Sequence, residues 1–356
     1  MKSRQVGVKS AVCFLPIRST GWTNVTSLAD VTIPPAGRGC LRPVQASRDL
    51  LAVADLVELC FKDSLDQEGR SYLKQMRQAA QENEIWHWAA TAAEAVNGLP
   101  ISGYVWEEKG VIVGNLSLIP LRSQGQRMYL IANVAVHPEH RGRGIGRMLT
   151  ATALEYVRRR GIRSAWLQVR HDNPPAIHIY QSLGFREQAR RTTWNSPPSA
   201  GSQAEVVLPP GGRLTQRSAA HWALQSRWLE RLYPSALRWH LPLNLGLLKP
   251  GLWGSLQRFF SLEYPTHWTY EKEQALQGVL SSHSEAGHSD TLWLAAPPEG
   301  ELDETAIQAL LATARRQSGP RRALTLNLPA GYAQGAVQAA GFQSVQTLIW
   351  MRSDIR

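Results

Sequence analysis

The residues best suited to chemistry lie in two short runs of this 356-residue chain. The first is Val134-Ala135-Val136-His137-Pro138-Glu139-His140-Arg141-Gly142-Arg143-Gly144-Ile145-Gly146-Arg147. An apolar, strand-like segment ends in a turn, and glycines alternate with other residues, arginines among them. Ile145, Leu149, Thr152, Ala153, Tyr156 and Val157 then recur at helical spacing. Strand, glycine turn and helix together make an anion cradle. The first backbone N–H groups of a helix have no intrahelical partner, and the helix dipole is positive at that end. Glycine lets the backbone come close to the anion. The second run is a strand-like Ala165–Arg170 followed by Asn173, Ala176, Tyr180, Gly184 and Phe185. Its phenol is a candidate proton donor.

The spacing narrows the phosphate ligand. A dinucleotide loop, G-x-G-x-x-G counted from Gly142, would need glycine where Arg147 stands, and the Gly-Lys-Ser/Thr of a Walker loop is absent. What stands here is Arg141-x-x-Gly144-x-Gly146. It resembles the acetyl-CoA signature of the GNAT superfamily of N-acetyltransferases, Gln/Arg-x-x-Gly-x-Gly/Ala. The second run is similar to the family's Asn-x-x-Ala-x-x-x-Tyr-x-x-x-Gly-Phe pattern at every spacing, through Asn173, Ala176, Tyr180, Gly184 and Phe185. The resemblance covers residues from about 40 to 195. It implies a mixed-sheet α/β fold, the GNAT acyl-CoA N-acyltransferase fold, and acetyl-CoA as co-substrate.

The resemblance also implies roles. Backbone groups of Val134, Ala135 and Val136 would contact the pantetheine arm, and an N–H there would face the thioester oxygen. Amides from Arg141 through Gly142, Arg143, Gly144, Ile145 and Gly146 to Arg147 would bind the pyrophosphate, with charge-assisted help from Arg141 and Arg143. Asn173 and Ala176 would line the arm, and Tyr180 would protonate the departing thiolate. Family members that acetylate protein N-termini carry a glutamate twelve residues before this tyrosine. Here that position is Gln168, and an amide takes no proton at neutral pH. Glu107, Glu108 or His171, acting through water, are candidate bases; each also reads as a solvated surface residue. The leading expectation is an acetyl-CoA-dependent N-acetyltransferase acting on a primary amine. A peptide N-terminus or lysine acetyltransferase is one alternative. A non-catalytic acyl-CoA sensor or nucleic-acid-binding protein is another.

These residues need elements to position them. The pattern predicts a strand from Cys40, a helix from about Ser47 to Phe61, and a second from Glu68 to Gln81. Strands are expected at Ile85–Thr91, Ile101–Trp106, Val111–Pro120 and Met128–Val136, with a hairpin turn at Glu107-Glu108-Lys109-Gly110. Residues 1–39 read as a disordered or targeting-like extension, 40–195 as the catalytic domain, and 196–203 as a linker by composition. Residues 204–356 read as a degenerate second copy. Strands are predicted at Thr291–Ala296, Ala323–Leu328 and Val345–Met351, with a helix at Asp303–Gln317. Aligning Gly341-Phe342 with Gly184-Phe185 puts Ala330, Ala333 and Val337 where Asn173, Ala176 and Tyr180 stand. The glycine cradle and the proton donor are missing from this copy.

Composition bounds the class. Net charge is +11, and residues 139–191 alone carry +7, in the segment that would hold a polyanion. A solvated basic face or weak nucleic-acid affinity is the plainer reading of the same charge. Arg158-Arg159-Arg160 before Gly161 reads as a helix C-terminus, where cations and glycine are favoured. No apolar run reaches the roughly 20 residues of a membrane helix. Cys13, Cys40 and Cys60 lack disulfide or metal spacing, which fits a reducing, cytoplasmic setting. An organelle is the alternative if the acid-poor start is a transit peptide. Seven of the thirteen tryptophans lie beyond residue 203, a pattern of core packing or of a ligand groove.

Overall fold

A computed structural model describes residues 39–62, 67–81, 102–198, 208, 210–241, 243–251, 259, 264–284, 289–318 and 322–355. The strand expected at Ile85–Thr91, the extension before Gly39 and most of the expected linker lie outside these residues. The chain divides into two compact units. The first runs to Ala189 and takes back Leu348–Arg356; the second is Arg190–Thr347.

The first unit contains β1 (Cys40–Pro43), α1 (Ala46–Phe61), α2 (Gln67–Gln81), β2 (Gly103–Glu108), β3 (Val111–Ser123) and β4 (Gln126–Val136). α3 (Ile145–Arg159), β5 (Ser164–Arg170) and α4 (Pro174–Ser182) follow. Strands β1 to β4 pair antiparallel in chain order, and β4 and β5 pair parallel. The chain's final strand then lies antiparallel on β5, from Leu348 opposite Arg170 to Asp354 opposite Ser164. Both tight turns are two-residue turns of the kind that matches strand twist. Lys109-Gly110 and Gln124-Gly125 all have positive φ. The hairpin expected over 107–110 is thus narrower, and Glu107 and Glu108 belong to β2.

Helices cover the two faces of this sheet. Leu50, Val53, Ala54, Val57 and Phe61 of α1 pack with Leu73 and Met76 of α2 on Val105 and Ala135. α3 brings Ile145, Leu149, Ala153 and Tyr156 to the other core, with Leu116, Leu167 and Val169. Gly114 of β3 makes that approach possible, because a Cβ there would stand 2.8 Å from Ile145 Cγ2. The arginine triplet closes α3 as expected. Arg158 and Arg159 both bond Glu155, whose carboxyl is held down at about 2, and Gly161 has φ +65.

The second unit repeats the plan element by element. It contains β7 (Gly212–Thr215), α5 (Trp222–Leu232), α6 (Leu245–Leu248), β8 (Thr266–Lys272), β9 (Ala275–Ser284) and β10 (Ser289–Ala295). α7 (Glu304–Gln317), β11 (Ala323–Pro329), α8 (Gln334–Ala339) and β12 (Gln343–Asp354) complete the order. β7 to β10 pair antiparallel, and β10 and β11 pair parallel, as β4 and β5 do. The register even slips at corresponding places, between Trp106 and Glu107 and between Tyr270 and Glu271. Two copies of one mixed α/β fold therefore stand in tandem.

The expected boundary moves. β6 (Arg186–Ser196) carries Arg191–Ser196 antiparallel onto β11 in the second unit, so the crossing falls at 189/190 and not at 196–203. β12 conversely supplies Leu348–Asp354 to the first unit. Composition marks loops, but these strands are fixed by partners far along the chain, with Trp194, Ile349, Trp350 and Met351 buried.

Candidate cofactor cleft and active site

The cleft begins with a bulge. Asn133 in β4 has φ +50, and the register with β3 skips between Asn115 and Ser117. Side chains hold the irregularity in place. Asn115 Nδ2 donates to the Asn133 carbonyl at 3.0 Å, and Asn133 Nδ2 donates to the Tyr72 and Ser117 hydroxyls. The parallel ladder with β5 covers Tyr129–Ile131 against Ala165–Leu167. Val134–Val136 and Gln168–Arg170 run past its last rung, so the two strands part where a thin arm could enter.

The cradle follows directly. Gly144 is the N-cap of α3, with φ +78 and no side-chain cap, so the first-turn N–H groups of Ile145, Gly146 and Arg147 are left to an external acceptor. Gly142 also has φ +78, and a Cβ at either glycine would meet nothing within 4 Å. Glycine is required here by backbone conformation and not by packing. The arginines brace this turn. Arg141 Nε donates to the Val136 carbonyl at 3.1 Å, and Arg143 clamps Glu108 through Nη1 and Nη2 at 3.1 and 2.7 Å. Arg147 reaches Ser182 of α4 at 2.6 Å.

On the far side of the parting, Asn173 caps α4. Its Oδ1 accepts from the Ala176 N–H at 3.4 Å, while its Nδ2 is buried without a partner among the described residues. Tyr180 is 6% exposed and meets Phe185 edge-on at 6.0 Å; burial pushes its phenol above the ordinary tyrosine range. Gln168 is 5% exposed, and both its amide atoms lack partners among the described residues.

Glu107 and Glu108, both expected as bases, are held in ion pairs. Glu107 accepts from Arg42 and Arg48, and Arg42 holds its carboxyl below the usual range. Glu108 accepts from Trp106 Nε1 at 3.0 Å and from Arg143, which lower it likewise. His171 is exposed. A separate cleft of about 400 Å³ lies between α1 and the β2–β3 hairpin, lined in part by Arg48, Asp55, Leu59, Val111 and His137. Apart from His137, which opens the turn, none of its lining residues belongs to the cradle or the parting.

The second unit has filled the corresponding space with its own groups. Its parallel ladder ends at Leu292 opposite Leu326. Just beyond, the Leu294 N–H donates to the Tyr233 hydroxyl at 3.2 Å, and Tyr233 stacks edge-on against Trp293. Arg191, 2% exposed, bonds the Asn327 side chain and carbonyl and the Leu232 carbonyl, with its guanidinium over Tyr233. Burial lowers this arginine to about 10 and raises the Tyr233 phenol to about 12. The N-terminus of α7 is capped by the Asp303 carboxylate, which accepts from the Thr305 and Ala306 N–H groups. Where the first unit presents open amides, the second presents a carboxylate. Ala333 and Val337 are buried.

Comparison with known proteins bears on the family and the fold. Residues 62–185 match the model of the Acetyltransferase (GNAT) family. Over these residues the chain is a GNAT-family domain. A ribosomal protein bS18-alanine N-acetyltransferase of Salmonella typhimurium is 37% identical over 76 residues, covering 21% of this chain and 51% of that protein. A mycothiol acetyltransferase of Cellulomonas flavigena is 33% identical over 138 residues, covering 39% of this chain and 38% of that one. The chain thus spans about half or less of these relatives' length. A solved GCN5-related N-acetyltransferase from Sphaerobacter thermophilus, 15% identical, superposes with a TM-score of 0.52 over 91% of this chain and 98% of its own. The GNAT fold therefore extends beyond the segment the family model matches.

The motifs marked the glycine turn, the Asn173 cap and Tyr180, but two features escaped sequence reading. The Asn133 bulge has no local signature beyond asparagine's tolerance of positive φ. The Asp303 cap did have one, an Asp directly before a helical pattern. Among the described residues no cluster able to hold a metal is present, and no helix is long and apolar enough to cross a membrane.

Proposed function

We propose that the first unit transfers an acetyl group from acetyl-CoA to a primary amine by direct attack on the thioester. The observation that carries this reading is the conjunction of the β4–β5 parting with an uncapped helix N-terminus at its mouth. The α3 amides would take the pyrophosphate. The arm would lie along Val134–Val136, and the unpartnered Asn173 Nδ2 would donate to one of its carbonyls. In the transfer the amine nitrogen bonds the thioester carbon and the C–S bond breaks. The thiolate takes the Tyr180 proton, and the amine's surplus proton leaves to water. A buried phenol stays protonated at neutral pH, as a donor must.

The relatives are named for an alanine of ribosomal protein bS18 and for mycothiol; an amine acceptor of protein or small-molecule origin fits this reading. The second unit is proposed to bind no acetyl-CoA, since Tyr233 and Asp303 occupy the amides that would hold it. A cytoplasmic setting is proposed with it. The test is acetyl-CoA titration by calorimetry together with thiol release across an amine panel. One binding site per chain and amine-dependent thiol release are expected. Binding without thiol release from any amine would favour the sensor alternative, which the absence of a base at Gln168 favours in turn.

A further inference from the structure

Gln168 is a buried polar side chain that the fold does not use. Both its amide oxygen and its amide nitrogen lack partners among the described residues, although 5% of the residue is exposed. Leaving such a group unpaired costs stability, so a retained one needs an explanation. Its position supplies one. Gln168 is the first residue of β5 past the last rung with β4, and Trp350 of β12 is its neighbour on the other side. Leu167 and Val169 point into the α3 core, so strand alternation puts Gln168 on the opposite face with Ala135, beside the parting.

The amide has one acceptor and two donor hydrogens. Its oxygen can accept from an amine N–H, and its nitrogen can donate to an oxygen near that amine. We propose that Gln168 is a specificity-determining residue that recognises an amine bearing an oxygen function on the neighbouring carbon, as in an α-amino carbonyl compound or an amino sugar. This rests on the acetyl-transfer reading above.

A second line converges on the same class. Glu107 and Glu108 are tied to arginines, and an amide cannot deprotonate an ammonium. An acceptor that loses no proton to His171 through water must then arrive neutral. Peptide α-amines ionise near 7.7–8.0 and lysine near 10.4, so at pH 7.5 the neutral fraction differs by about 10²-fold. A neighbouring oxygen both lowers basicity and gives the Gln168 nitrogen something to bond.

The experiment compares four acceptors at saturating acetyl-CoA: glycinamide, glucosamine, N-acetyl-lysine amide, and a fluorinated ethylamine of low basicity but without the oxygen. Wild-type protein should favour glycinamide or glucosamine over the lysine amide by about 10²-fold in kcat/KM at pH 7.5. The lysine amide rate should rise about tenfold per pH unit. Gln168→Leu should lose about 10- to 100-fold on the oxygen-bearing amines and little on the fluorinated one. Gln168→Glu, which keeps the shape, should move the acid limb of the glycinamide profile to lower pH. Equal wild-type rates on all four amines, or a Gln168→Leu protein with unchanged selectivity, would overturn the assignment while leaving acetyl transfer intact. No thiol release from any acceptor, with acetyl-CoA still bound, would overturn acetyl transfer and this assignment together.

Discussion

Ile349 and Met351 lie about 200 residues from the cradle in sequence, yet both are in its core. Ile349 is 2% exposed and Met351 is fully buried, opposite Val169 and Leu167 of β5 and packed in the cluster that contains Tyr180 and Phe185. Truncating a buried Ile or Met to Ala costs about 2–5 kcal/mol. As neighbours, the two will not add strictly, and together they should cost about 4–8 kcal/mol. Whole domains are stable by about 5–15 kcal/mol, so the double variant should leave the first unit marginal or unfolded. Urea unfolding and acetyl-CoA calorimetry on the full chain would measure this. The expected result is an unfolding free energy lowered by several kcal/mol, read as a lower urea midpoint, and loss of acetyl-CoA binding. Val345→Ala on the same strand, where the side chain is 48% exposed, should change stability by less than about 0.5 kcal/mol. If the double variant kept its midpoint and its affinity, β12 would not be part of the first unit's core. The same reasoning says that a fragment ending at the composition-defined linker lacks a core strand.

Three other outcomes follow from the site. Gly144→Glu should abolish acetyl-CoA binding, with calorimetric affinity at least about 10²-fold weaker, while Gly144→Ala should cost only about 1–2 kcal/mol of stability for its left-handed φ. Tyr180→Phe should keep acetyl-CoA binding and lower turnover by about 10²–10⁴-fold; full turnover would remove the phenol from the mechanism. In the wild type, burial places any alkaline limb from this phenol above the ordinary tyrosine value near 10. Asp49 is 1% exposed. Burial alone would raise its carboxyl, but the Arg42 hydrogen bonds and the Gln45 N–H hold it below the usual range. Its stabilisation is therefore present above the ordinary aspartate pKa near 4 and lost as pH falls below it. Asp49→Ala should lower neutral-pH stability by about 2 kcal/mol, because Arg42 keeps Glu107, and should flatten the fall in melting temperature below pH 4.

What the sequence made legible was local. The glycine turn, the Asn173 cap and the buried Tyr180 stand on the strand–turn–helix units that their spacing predicted, because within such a unit type and interval determine position. The repeat in the second half was legible from Thr291 onward, where strand and helix periods are strong. It was not legible over Gly212–Ser284, where short strands and Trp-rich helices lack a clear period. The domain boundary failed for a different reason. β6 and β12 are long strands whose paired residues cross from one unit to the other within a single element. No local signal marks such a crossing, since register is settled by distant partners. Glu107 and Glu108 read from sequence as candidate bases or solvated surface residues, and only the positions of Arg42 and Arg143 show them to be ion-paired.

The two units put the same fold to opposite local uses, and the difference lies in very few side chains. A parallel pair that parts early leaves backbone amides without a ladder partner, and buried amides must be paired. The first unit leaves Gly144 bare at the helix start, the Asn173 amide nitrogen unpaired and Gln168 unpaired on both atoms, an arrangement that is costly unless a ligand completes it. The second unit satisfies equivalent needs internally. Tyr233 takes the Leu294 N–H, Arg191 takes the Asn327 side chain, and Asp303 takes the first amides of α7. Buried unpaired groups occur in both units, Thr269 Oγ1 and Arg315 Nε among those of the second, but at the end of the parallel ladder and at the following helix start the second unit shows that the fold can satisfy its own polar groups. The unpaired groups at those places in the first unit are readily explained if polar satisfaction there comes from acetyl-CoA and its acceptor.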